Sequence, residues 1–154
     1  MSDKMRWRYG ETNPVVAQVD SATTIDVGDL VYLTNGKAKS AAAFTPETTI
    51  AATQTAFAAA FLGVAMQKSV AGSTAPIRIA TSGIFEFDAP SDTYTLGDTV
   101  GIYESADEVA LENQKVDKVA DASDSLGRVA RIEASASSVI LIAVRSVIMN
   151  GAAS

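Results

Sequence analysis

A chain of 154 residues has room for one domain, or for two small β units over a shared core, and its net charge of −6 gives it no global electrostatic reason to approach nucleic acid, whose binding rests on neutralising phosphates. It contains neither cysteine nor histidine, which excludes disulfides, thiolate nucleophiles, imidazole bases and the commonest zinc ligands. With 47% hydrophobic and 19% charged residues it is expected to pack rather than stay disordered, and only carboxylates, Lys, Ser or Tyr remain for any chemistry.

The N-terminus, "MSDKMRWRYGETNP", lacks the apolar stretch of a signal peptide, and no later run approaches the length of a membrane span, so the expectation is a soluble chain made in the cytoplasm, with no membrane partner. Residues 1–14 read as an extended arm carrying Arg6, Trp7, Arg8 and Tyr9. The residues allow two readings of it. One is a strand that caps the chain's own β core; the other is an arm that docks on another subunit, since Trp, Tyr and Arg are enriched at interface hot spots.

Residues 15–150 read as a single β-rich domain. At residues 24–33, "TIDVGDLVYL" sets a Gly-Asp corner, Gly28 and Asp29, before alternating β-formers, with Leu30 and Tyr32 on one face and Val31 and Leu33 on the other. Asn35-Gly36 then predicts a tight hairpin turn. An insert at 45–61 predicts a helix with Thr45 as N-cap, Pro46 at the first helical position and an apolar face of Ile50, Phe57 and Phe61. "FLGVAM" carries Gly63, and the strongly apolar "APIRIAT" ends this first unit.

"TSGIFEFD" alternates Phe85 and Phe87 against Ile84, Glu86 and Asp88, and "APSD" predicts a turn at Pro90. The opening phrase then recurs: "YTLGDTVGIY" places Gly97 and Asp98 as Gly28 and Asp29 were placed, and Val100 and Ile102 alternate with Gly101 and Tyr103. A strand followed by a loop or turn of helix is expected over "ENQKVDKVADASDSL". "SLGRVA" carries Gly127, and the β-branched run "SSVILIAVRSVIM" reads as a central strand. Two units, 24–81 and 94–145, therefore repeat a Gly-Asp strand, a variable insert, a Leu-Gly strand and an apolar strand in the same order. The fold class expected is mainly β: a compact barrel or sandwich of two related units with one short helix.

Candidate chemistry is thin. Glu86 and Asp88 point the same way on a strand, as an acid/base or metal pair would require, Asp26 and Asp29 share a corner, and Glu104, Asp107 and Glu108 share a turn, but a solvated polar face accounts for each. No catalytic, cofactor-binding or metal-binding residue is assigned. Arg128, Arg131 and Arg145 are expected to pair with carboxylates. Exposed aromatics such as Tyr32, Tyr94 or Tyr103 would line a shallow site if the chain were a glycan-binding module.

In order, "IDVGDLVYL", "FLGVAM", "PIRIATSGIFEF", "YTLGDTVGIYES", "LGRVARI" and "VILIAVR" resemble the capsid decoration, or cement, proteins of tailed bacteriophages, of the small β-barrel type. The resemblance covers about residues 25–145; the basic aromatic arm and the Ala/Thr-rich insert depart from it. It implies a structural, non-enzymatic virion protein on the outer capsid surface, often trimeric, whose partner is the major capsid protein. Beside that resemblance, the residue types of the arm lead to the expectation that Arg6, Trp7, Arg8 and Tyr9 contact the shell or a neighbouring subunit, and Gly28, Asp29, Gly63, Gly97, Asp98 and Gly127 are expected as structural turns.

Overall fold

Only Thr81 separates two closed rings of strands in the computed structural model, which describes residues 3–105 and 110–149. Before them comes β1 (Trp7–Tyr9). The first ring contains β2 (Val15–Ala17), β3 (Leu30–Thr34), β4 (Lys37–Ser40), β5 (Phe61–Ala65) and β6 (Ile77–Ala80), hydrogen-bonded in the order β2-β6-β5-β3-β4. A parallel bridge between Val19 and Ala38 closes it, with the Ala38 N–H donating to the Gln18 carbonyl at 2.8 Å. The second ring contains β7 (Ser82–Tyr94), β8 (Thr99–Glu104), β9 (Leu111–Lys118), β10 (Gly127–Val129) and β11 (Glu133–Arg145), in the order β7-β11-β10-β8-β9. A parallel pairing of Asp88 with Lys115 returns β9 to β7. The two orders are the same order, and closure leaves few open strand edges.

The repeated phrases build matching corners. Gly28 (φ +97°) and Gly97 (φ +93°) take a left-handed conformation that favours glycine. Their N–H groups donate to the Ala65 and Val129 carbonyls, both at 2.9 Å. Asp29 Oδ2 accepts from the Asp26 N–H, and Asp98 Oδ2 from the Thr95 N–H, again both at 2.9 Å. The Leu-Gly phrases match as well. A methyl group on Gly63 would collide with the Ala80 carbonyl, and one on Gly127 with the Ala143 carbonyl, so each glycine marks a close crossing of main chains.

Burial follows the alternation. Val31, Ala38, Leu62, Ala65 and Ile79 fill the first ring. The opposite faces of those strands, with Leu30, Tyr32, Phe61, Val64 and Ala80, join Phe85, Phe87, Val100, Ile102, Ile140 and Ile142 of the second ring in one larger core. Helix α1 (Ile50–Ala60) adds the fully buried Phe57, which packs beside Tyr32, Phe44 and Phe61.

Several local expectations change. The helix begins at Ile50, not after Thr45: the Thr49 hydroxyl accepts from the Ala52 N–H as N-cap, and Thr53 Oγ1 holds the Glu47 N–H, keeping Pro46 and Glu47 in a loop. Ile50 is exposed, and Phe61 belongs to β5. Pro90 does not turn the chain, because β7 runs through it to Tyr94. The register against β11 shifts on both sides of Ser137, and Pro90, which has no N–H to donate, falls in that irregular stretch. β11 ends at Arg145, and residues 147–149 form a short 3₁₀ turn rather than more strand. The Asn35-Gly36 hairpin and the alternation of Phe85 and Phe87 are as expected, and the stretch after β8 is a strand followed by a 3₁₀ turn at Ala122–Asp124.

Candidate functional site

The N-terminal segment is extended and lies on its own chain. β1 pairs antiparallel with β7 through Trp7–Phe85 and Tyr9–Ile84, and forms the end of its sheet. Trp7, Arg8 and Tyr9 are exposed there, with Met5 just ahead of them. Trp7 Nε1 donates to the Gly10 carbonyl at 3.0 Å, and Arg8 forms an ion pair with Glu86 at 2.7 Å. Together these side chains form a basic aromatic row on an edge strand.

Arg6 departs from the row. Its side chain is 4% exposed, so it is no direct docking residue. Its Nε–H donates to Gln114 Oε1 at 2.9 Å, one guanidinium nitrogen donates to the Glu86 carbonyl at 3.1 Å, the carboxylate of Asp88 lies at 3.4 Å, and the cation stands 5.5 Å from the Phe87 ring centre. Gln114 passes the contact on, its Nε2–H donating to Asp29 Oδ1 at 2.8 Å. Asp29 is buried and lies among carboxylates, with Asp26 and Asp3 nearby, and burial raises its pKa to about 6. This relay faces a cleft of about 470 Å³ lined by Lys4, Arg6, Asp88, Glu112, Asn113 and Gln114.

The segment also covers the first Gly-Asp corner. The Lys4 N–H donates to the Val27 carbonyl at 2.8 Å, Asp3 Oδ1 accepts from the Val27 N–H at 3.0 Å, and Lys68 stands 3.4 Å from both Asp3 and Asp26. A methyl group on Gly28 would meet the Lys4 carbonyl. At the second corner a methyl group on Gly97 would have nothing within 4 Å.

No protein-family model matches the chain, and no curated protein matches its sequence.

The candidate acids are engaged in structure: Glu86 with Arg8, Asp88 with Arg6, Asp26 with Lys68, Asp29 with Gln114. Glu104 is buried, and Asp107 and Glu108 lie outside the described residues. Among the described residues no group of three or more acidic side chains is arranged to hold a metal ion, and no helix is long and apolar enough to cross a membrane. Tyr32 and Tyr94 are buried and line no surface site; the Tyr94 hydroxyl donates to the Pro90 carbonyl at 2.6 Å. Lys115 lies over the Tyr103 ring at 4.1 Å. Arg131 pairs with Glu133 as expected, whereas Arg128 donates to the Gly97 carbonyl and pairs with no described carboxylate; Arg145 donates to the Met149 carbonyl. Sequence reading missed Gln114, whose role arises only when ring closure brings β9 beside the first corner.

Proposed function

We propose that the chain is a capsid cement protein of a tailed bacteriophage. In this reading it is made in the host cytoplasm, binds the outer surface of an expanded icosahedral head as a trimer, and bridges neighbouring major capsid subunits against the pressure of packaged DNA. The observation that carries the reading is the order of the Gly-Asp and Leu-Gly phrases, since the residues that carry the resemblance are those that make the corners and crossings of two like rings. Support also comes from four of the candidate acids, Glu86, Asp88, Asp26 and Asp29, which are engaged in structural contacts, and from the exposed Trp7, Arg8 and Tyr9 on an edge strand. Each copy then needs only a modest interface, because many copies on a closed shell act together.

The test is co-sedimentation of the purified chain with expanded heads that lack it, followed by heating. Saturable binding that raises the temperature of head rupture is the expected result. Heads that neither bind the chain nor gain heat resistance would overturn the reading.

A further inference from the structure

The two corners share one main-chain design but differ in what covers them. Residues 3–6 lie over the first, where the Val27 N–H and carbonyl are both taken by Asp3 and Lys4. The matching residue at the second corner is Leu96, one position before Gly97. Its N–H and carbonyl bond to no described residue, and its side chain is 66% exposed.

The surroundings of the two corners differ as well. Ala65 and Val129 hold matching places, each donating to the carbonyl of the corner aspartate. Three residues beyond them stand Lys68, which pairs with Asp3 and Asp26, and Ile132, which is 61% exposed. Thr95 stands where the first corner has Asp26. Where the first corner carries Lys68 beside two aspartates, the second carries Ile132 and Thr95, with the Arg131–Glu133 ion pair next to Ile132. Arg128 is exposed beside it and donates to the Gly97 carbonyl; no described carboxylate pairs with it.

We propose that this second corner, Leu96 and Gly97 with Ile132 and Arg128, is a docking site for an extended peptide segment of the shell protein. The segment would pair its main chain with the Leu96 N–H and carbonyl, as residues 3–6 do at the first corner. It would place an apolar side chain against Leu96 and Ile132 and a carboxylate near Arg128. Residues 3–6, which make such contacts at the first corner, are engaged there through Asp3, Lys4 and Arg6, and the occupant proposed for the second corner is a segment of the shell protein. The inference rests on the shell-binding reading and adds to it a docking face separate from the row on β1.

The experiment measures saturable binding to expanded heads lacking the chain, using the wild type, Leu96→Asp, Ile132→Asp and, as a control at an equally exposed apolar position, Val16→Asp. A photo-crosslinking residue at position 96 of an otherwise wild-type chain reports the neighbour directly, whether or not the variants fold. Expected are unchanged melting temperatures, binding weakened about tenfold or more by the two corner variants but not by Val16→Asp, and a cross-link from position 96 to the shell protein. Wild-type attachment with undiminished binding of both corner variants would overturn the corner inference and leave the shell reading standing. A cross-link to a second copy of the chain would also overturn it. Failure of the wild type to attach would overturn the shell reading, and the corner inference with it.

Discussion

Arg6 and Asp29 are joined through a single amide. The Arg6 Nε–H donates to Gln114 Oε1 at 2.9 Å and the Gln114 Nε2–H donates to Asp29 Oδ1 at 2.8 Å, so a buried cation and a buried acid are linked with every donor facing an acceptor. The relay ties the N-terminal segment, the first corner and β9 together. Arg6→Met keeps apolar bulk over Phe87 but leaves Gln114 Oε1 without its donor. It is expected to cost about 2–3 kcal/mol, a fall of roughly 4–12 °C in melting temperature for a chain of this size. Calorimetry of the variant checks this; an unchanged transition would mean the segment is not anchored as described.

Burial raises the Asp29 pKa to about 6, and Asp117 moves in the same direction for the same first cause. A carboxyl raised in the folded state binds its proton more tightly there than in the unfolded chain. Its effect is therefore to make the protein more stable as pH falls from about 6 toward the ordinary carboxylate value. For Asp29 the effect is at most about 3 kcal/mol. Asp3 and Asp92 are lowered, chiefly by the Val27 and Thr93 amides, and their contributions are lost only below that ordinary value. Melting temperature is thus expected to rise between pH 7 and pH 5 and to fall under stronger acid. Asp29→Asn, which cannot titrate, should flatten the upper part of this profile; a slope identical to wild type would assign it to another group.

Gly28→Ala and Gly97→Ala test the asymmetry of the two corners. Both force a side chain into a left-handed backbone, at about 1–2 kcal/mol. Only Gly28→Ala also drives a methyl group into the Lys4 carbonyl, adding about 1–3 kcal/mol. Thermal denaturation should rank Gly28→Ala below Gly97→Ala, and hydrogen exchange should show residues 3–6 loosened in the first variant alone. Equal melting temperatures would show that the segment does not press on the first corner.

Trp7→Ala removes an exposed ring whose Nε1–H donates to the Gly10 carbonyl. Under the cement reading it should leave the melting temperature within about 2 °C but weaken attachment to heads by about 1–2 kcal/mol, as hot-spot truncations do. Binding equal to wild type would remove the row on β1 from the docking surface.

Thr49→Ala deletes the side chain that caps α1 and is expected to cost about 1 kcal/mol, whereas Thr45→Ala should cost nothing measurable. A chemical denaturation pair decides between the two starting points for the helix.

The corners were legible because their chemistry is local. Glycine with a positive φ, an aspartate bonding an amide three residues earlier, and Asn-Gly in a hairpin all leave a signature within a few positions. The alternation of Phe85 and Phe87 was legible for the same reason. Pro90 was misread because its tolerance depends on a register shift against β11, more than forty residues away in sequence. Arg6 looked like a docking residue because its partners, Gln114 and Asp88, come together only when β7 and β9 close the second ring. Tyr32 and Tyr94 looked available for ligands because nothing near them in sequence reports the larger core shared by both rings.

With Thr81 alone between β6 and β7, and with strands of the first ring contributing Leu30, Phe61 and Val64 to the core that also holds Phe87 and Ile142, the larger core is complete only when both halves are present, although the first ring also has a smaller interior cluster of its own. The duplicated pattern therefore does not give two independent folding units. Heat or denaturant should melt the chain in one cooperative step, and a proteolytic cut near Thr81 should release halves that stay together or collapse together, never a surviving single ring.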